Sequence, residues 1–366
     1  MAEACHSTYV YARALAAPGA IWNERSRNDV TRIPWRLGAL LAILILGGLA
    51  AAAAVVEPPA ATADWQASFA RHGRLVRLPD GRRINLRCSG QGAPTVLLES
   101  GFGASSSAWG KVQPQVAAVT RVCSYDRAGY GFSDVGPLLR DGAAIARDLD
   151  QALKAANIRG PFIVVGHSAG GLYERLFAAR RLHQVVGLVF VDSSVEHQDR
   201  RMAQVFGPGA GSVAGIHRRV TRCLEATTAH RVSSVAEDYA ACVPKTGGLH
   251  AQMVALRPGT WRSQLSEIDT LFNDTSDQVE RTGGLLKDIP AIVLTASPTG
   301  VAAGPEDPGA AVWQGMHRDL ARGFLKGDQR LVKSGHLMMN ERPEVVAGAI
   351  LELVAANRPR PSPTTP

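Results

Sequence analysis

The stretch Ile163–Gly171 (IVVGHSAGG) constrains this chain more than any other, because it sets a serine between two glycines where an apolar run gives way to a helical one. Phe162–Gly166 has the unbroken apolar character of a strand buried on both faces, and Gly171–Arg181 has helical spacing. A sharp strand-to-helix turn tolerates only small neighbours, and Gly166 and Gly170 flank Ser168 accordingly. The hydroxyl then projects above the sheet edge, while unpaired N–H groups at the helix start lie where an oxyanion would form. Gly166-His167-Ser168-Ala169-Gly170 thus fits G-x-S-x-G in the setting that a nucleophilic serine needs. A purely structural glycine-rich turn is the competing reading.

The same alternation runs along the chain. Arg74–Leu78 and Arg83–Cys88 are short strand patterns joined by the turn signature Pro79-Asp80-Gly81. Thr95–Ser100 and Arg121–Tyr125 come next, with a helical stretch near Trp109–Val119 between them. Ala143–Ala156 repeats apolar residues at helical spacing (Ile145, Leu149, Leu153), and Gly187–Asp192 and Ala291–Thr295 are again buried-strand runs. Glu344–Ala355 closes the pattern as an amphipathic helix. Alternating strands and helices predict a mostly parallel sheet with helices on both faces, here over residues 73–355. Residues 195–287 break the rhythm with helical pieces and no clear strand, which predicts a helical lid inserted above the sheet. Residues 57–72 read as a linker, and residues 356–366 as a Pro-rich disordered tail.

Leu37–Val56 (LGALLAILILGGLAAAAAVV) contains no charge. At 1.5 Å rise per residue such a helix spans about 30 Å, the thickness of a bilayer core. Arg25, Arg27, Arg32 and Arg36 precede it, so the positive-inside rule keeps residues 1–36 cytoplasmic and exports residues 57–366. A cleaved signal sequence, with small residues such as Ala60 and Thr62 near the cut, is the alternative, and it would make the protein secreted.

Of 366 residues, 46% are hydrophobic and 20% charged, which excludes a wholly disordered, collagen-like or coiled-coil chain. The net charge of +8 divides into +2 before the apolar run and +6 after it. Arg71, Arg74, Arg77, Arg82, Arg83 and Arg87 cluster without interleaved aromatics, so a solvated or headgroup-facing surface is expected and no nucleic-acid partner. No pair of the five cysteines forms C-x-x-C, and no metal or cofactor is called for.

A serine hydroxyl needs a base. His336 lies in Lys333-Ser334-Gly335-His336, after the short strand pattern Arg330–Val332 and before the last helix. A loop there can overhang the same sheet edge as Ser168.

Taken together, LLESGFG (97–103), YDRAGYGFSD (125–134), GHSAGGLY (166–173) and SGHLMMNERPEVV (334–346) resemble the α/β-hydrolase family, in its serine esterase and lipase-like branch, over about residues 73–355. The resemblance implies an eight-stranded sheet whose second strand is antiparallel and lies beside the fourth. It implies oxyanion donors at the backbone N–H groups of Phe102 and Ala169, although Ser100-Gly101 stands where many relatives have His-Gly. It also brings Cys88 beside Cys123, and with Cys223 and Cys242 bracketing one local segment the expected disulfides of an exported domain are 88–123 and 223–242. The three pairings open to four exported cysteines otherwise stand equal, as do free thiols.

The acid is the open position. The commonest family place, after the seventh strand near Thr299, holds no carboxylate, and Glu306 and Asp307 are the nearest. Asp192, at the end of the sixth strand, is the first choice, with Asp307 second and Glu306 third. The expected activity is hydrolysis of small carboxylic esters through an acyl-Ser168. A proline-releasing aminopeptidase, with Glu225, Glu237 or Asp238 holding the substrate amine, and a silent membrane-tethered binding module are the rivals. The sequence does not specify the substrate or the oligomeric state.

Overall fold

The computed structural model describes residues 69–210, 213–232, 237–244, 248–304 and 306–358. The proposed membrane run, the stretch before it and the end of the tail lie outside these residues. No helix among the described residues is long and apolar enough to cross a membrane.

Eight strands form one sheet: β1 (Arg74–Arg77), β2 (Arg83–Ser89), β3 (Thr95–Glu99), β4 (Val122–Tyr125), β5 (Phe162–His167), β6 (Val185–Val191), β7 (Ala291–Ser297) and β8 (Gly327–Lys333). Their order is β1-β2-β4-β3-β5-β6-β7-β8. β2 is antiparallel to both neighbours, and every later pairing is parallel. β8 is longer than the apolar run Arg330–Val332 announces, because a full parallel ladder with β7 carries its polar residues too.

Twelve α-helices surround the sheet among the described residues. The first four are α1 (Gln113–Ala117), α2 (Gly142–Ala155), α3 (Gly170–Arg180) and α4 (Gln198–Phe206). Then come α5 (Ala214–Thr228), α6 (Glu237–Cys242), α7 (Gly248–Ala255), α8 (Pro258–Thr270) and α9 (Ser276–Glu280). The last are α10 (Pro308–Arg322), α11 (Met338–Glu341) and α12 (Pro343–Ala356). The helical stretch expected near Trp109–Val119 divides into a 3-10 turn at Ser106–Trp109 and the short α1, whose first turn Pro114 occupies.

Strand periodicity splits the core into two layers. Leu97, Phe162, Val164, Leu188, Phe190 and Val293 point to one face, under α2, α3 and α10. Val96, Leu98, Ile163, Val165, Val189 and Leu294 point to the other, under α1 and α12. Fully buried central strands explain why those runs read as continuously apolar.

Helices α4–α9 lie between β6 and β7, where the sequence places the lid. Val220, Cys223, Cys242, Val243, Ala255 and Trp261 make a separate small core there. Cys223 and Cys242 are disulfide-bonded within it, and Cys88 and Cys123, register partners across β2 and β4, form a second disulfide.

Candidate active site

The carboxyl ends of β3, β5, β6 and β8 meet at one sheet edge. Ser168 follows β5 with φ of 53°, a left-handed conformation that a non-glycine residue adopts only when its surroundings hold it there. The turn is too tight for side chains beside it: a Cβ on Gly166 would lie 2.6 Å from the Gly170 oxygen, and one on Gly170 would lie 2.6 Å from the Glu99 oxygen. The Ser168 carbonyl accepts from the N–H groups of Gly171 and Ser194 at 2.9 and 2.8 Å, which fixes the elbow against the end of β6.

Asp192, also at positive φ (41°), directly follows β6 and is buried. Its Oδ1 accepts from the Ala296 N–H at 2.9 Å and from the Trp313 indole at 2.8 Å. Its Oδ2 lies 2.7 Å from His336 Nδ1. Burial alone would raise this carboxyl, but the hydrogen bond with His336 and the electrostatic pull of that imidazole outweigh it and hold the group down at about 2. Asp307 is elsewhere: it caps α10, accepting from the Ala310 N–H at 3.0 Å. Glu306 is exposed on the same loop.

His167 Nε2 donates to the carbonyl oxygen of His336 at 2.9 Å, and the two rings lie 4.7 Å apart between centroids. The histidine loop is therefore held by the residue next to Ser168. Burial, and then the nearness of the His336 ring, push His167 down to about 3, so it stays neutral. Its Nδ1 has no hydrogen-bond partner among the described residues.

The loop after β3 crosses directly over the serine. A Cβ on Gly101 would stand 2.9 Å from the Ser168 Cβ and 2.8 Å from His167 Nδ1, so only glycine fits. Phe102 comes next, packed against both the main core and the lid core, and Ala169 is buried at the N-cap of α3. Ser100 ties the loop to itself through a 2.9 Å bond to the Ser105 oxygen.

Beneath this loop lies a buried ionic cluster. Arg127 donates to the carbonyl oxygens of Ser100 (2.6 Å) and Gly101 (2.8 Å). It also pairs with Glu99 at 2.8 Å and with Glu267 of α8 at 3.1 Å. The Tyr130 and Tyr173 hydroxyls donate to Glu267 at 2.9 and 3.0 Å, and Tyr125 donates to Glu99. Burial pushes Glu99 up to about 7 against the pull of Arg127 and Tyr125. Nearby Glu174 is buried with neither oxygen partnered among the described residues, and burial followed by the charge of Glu99 drives its pKa far upward. A charged residue inside an apolar strand, as in TVLLE, is the one signal that could have pointed here.

Asp126 holds the Arg127 loop by accepting from the Ser106 and Phe132 N–H groups and the Asn85 amide, and Asp134 pairs with Arg83. Of the lid acids considered for an amine, Asp238 pairs with Arg222 at 2.5 Å, Glu225 is exposed, and the Glu237 side chain is not among those described. Away from the serine, His197, Asp277 and Glu280 bring potential metal-ligand atoms within 4.8 Å of one another, a grouping that no spacing in the sequence announces.

The sequence pattern of the alpha/beta hydrolase family matches residues 96–349. Among curated proteins, the chain is 30% identical over 106 residues to the uncharacterized protein YqjL of Bacillus subtilis, covering 29% of this chain and 42% of that one. It is 38% identical over 104 residues to the uncharacterized vacuolar membrane protein YNL115C of Saccharomyces cerevisiae, covering 27% and 16%. The chain spans less than half the length of the curated relatives it matches. Among solved structures, a thermophilic esterase from Thermogutta terrifontis superposes with a TM-score of 0.52 at 20% identity, covering 78% of this chain and 99% of that one. At that identity the likeness speaks for the fold.

Proposed function

This chain belongs to the alpha/beta hydrolase family, and from that premise we propose that it is a serine hydrolase of carboxylic esters, held at a membrane through residues 37–56 with its catalytic domain exported. The observation that carries the chemistry is the 2.7 Å contact between Asp192 Oδ2 and His336 Nδ1, at the sheet edge where Ser168 sits on a strained elbow.

In this reading His336 takes the proton of Ser168 as the hydroxyl oxygen attacks the ester carbonyl. Asp192, its other oxygen held by Ala296 and Trp313, keeps the imidazole oriented and stabilises its cationic form. The N–H groups of Phe102 and Ala169 receive the oxyanion. Collapse expels the alcohol, which takes the proton from His336, and leaves an acyl-serine. Water activated by the same histidine then releases the acid and restores the enzyme. Two disulfides suit an oxidising compartment, and the uncharged run preceded by arginines supplies the anchor.

Replacing Ser168 by Ala is expected to abolish hydrolysis of p-nitrophenyl esters and labelling by a fluorophosphonate probe while the circular dichroism spectrum stays unchanged. Undiminished turnover in the folded variant would refute the assignment. Faster cleavage of aminoacyl-proline amides than of neutral esters would move the assignment to an aminopeptidase.

A further inference from the structure

An apolar surface lies on the outside of the domain, apart from the serine. α7 and the residue after it (GLHAQMVAL) carry no formal charge, yet Leu249 is 73% exposed, Met253 57% and Leu256 42%. The loop after β4 adds Val135, Leu138 and Leu139, all exposed.

Three contacts join the two stretches into one face. The Phe132 ring stacks on the His250 ring of α7, with centroids 3.4 Å apart. Arg257 donates to the Gly131 oxygen at 2.8 Å. Val135 packs against the start of α8 so closely that a Cβ on Gly259 would lie 2.6 Å from its Cγ2. Scattered exposed apolar side chains need no explanation, whereas a joined group of them with a polar rim marks an interaction surface.

Two observations identify what covers it. The first is charge. Asp134, next to Val135, is held by Arg83, whose register partner across β1 and β2 is Arg77, and Arg257 binds the Gly131 oxygen of the same loop, so three guanidinium groups gather about one carboxylate. The rim is cationic. The second is the path of the chain. His72 meets the edge of the Phe132 ring at 6.0 Å, so the polypeptide joins the domain beside this face. Upstream, only residues 57–68 separate the first described residue from the uncharged run Leu37–Val56, and that stretch reaches at most about 40 Å when fully extended.

We propose that the face formed by Val135, Leu138, Leu139, Leu249, Met253 and Leu256 seats on the headgroup–acyl boundary of an anionic bilayer, with Arg77 and Arg257 against the lipid headgroups. An apolar patch set a few ångströms into that boundary gains from area buried, and the arginines gain from the negative surface potential. The placement rests on the membrane-held part of the proposed function and not on its ester chemistry.

The test uses the full chain reconstituted in vesicles of phosphatidylcholine and phosphatidylserine, with and without bromine on the acyl chains. Leu138→Trp and Met253→Trp report on the face. Leu325→Trp, at a site 74% exposed between α10 and β8, is the reference. Bromine is expected to quench the added fluorescence at 138 and 253 several-fold more than at 325. The combined Arg77→Glu and Arg257→Glu substitutions are expected to reduce that quenching when phosphatidylserine is present. Equal quenching at the three positions overturns the proposal, and so does quenching unaffected by the charge reversal. A blue shift at 138 and 253 that grows with protein concentration, without bromine quenching, means that a second copy covers the face and also overturns it. Ester turnover in the same vesicles separates the two readings. Normal turnover with unquenched tryptophans removes the docking face alone, and absent turnover with quenched ones removes the ester chemistry alone.

Discussion

His167, the residue immediately before Ser168, donates from Nε2 to the carbonyl oxygen of His336. The bond joins the elbow after β5 to the loop after β8 across a sequence separation of 169 residues. Burial, followed by the neighbouring His336, keeps His167 neutral by holding its pKa at about 3, although the bond itself favours the charged ring.

The pH dependence of stability follows from that depression. An unfolded histidine takes up a proton near pH 6.5, whereas folded His167 does so only near 3. Its contribution is therefore intact above about pH 6.5 and is lost as pH falls through that window towards 3. His167→Gln keeps a donor for the His336 carbonyl and removes the titration. Urea unfolding at pH 7 and 4.5 should show the parent losing about 2 kcal/mol more than the variant between the two conditions. Parallel losses would remove His167 from the acid response.

Asp192 and Asp307 separate cleanly by mutation. Asp192→Asn keeps the carboxamide oxygen but ends the charge beside His336 Nδ1, and ester kcat should fall by about 10³–10⁴-fold. Asp307→Ala should leave kcat within about two-fold and cost about 1 kcal/mol of stability, because Asp307 caps α10. Kinetics and thermal melts on both variants read this directly, and a large kcat loss in Asp307→Ala would reverse the assignment.

Arg127 supports the loop after β3 from below. Arg127→Met leaves Glu99 and Glu267 buried without their cation and frees the Ser100 and Gly101 carbonyls. The expected result is a loss of about 3 kcal/mol or more of stability, with kcat reduced more than KM is raised in the protein that remains folded. Glu267→Gln keeps the shape and should fall between parent and Arg127→Met in both. An unchanged melting temperature in Arg127→Met would show that the cluster contributes no net stability.

Gly101→Ala tests the crossing over the serine. Its methyl group would overlap the Ser168 Cβ and His167 Nδ1, displacing the Phe102 N–H from where an oxyanion would form. Losing one such donor costs about 10²–10³-fold in rate. The melting temperature should change far less than the rate, and a variant with parental kcat would show that the loop yields without consequence.

The parts of this protein legible in the sequence are those whose physics is local. The elbow is readable because a turn of that curvature demands glycine at 166 and 170, and central strands such as β5 and β6 are readable because burial on both faces makes them continuously apolar. β8 is understated because one of its sides is an edge and most of its residues are polar. The choice between Asp192 and Asp307 as the neighbour of His336 was not readable, since it depends on how adjacent strands register and where Trp313 of α10 reaches. The Glu99–Arg127–Glu267 cluster lay further out of sight: its contacts span 28 and 140 residues, and a charge can be kept in a dry interior only by partners that the completed fold delivers. Sequence alone thus determined the strand-to-helix framework and the serine upon it, because backbone sterics and burial act residue by residue. Tertiary structure alone decided which carboxylate meets the histidine and what holds the loop above the serine, because those contacts exist only once distant strands lie side by side.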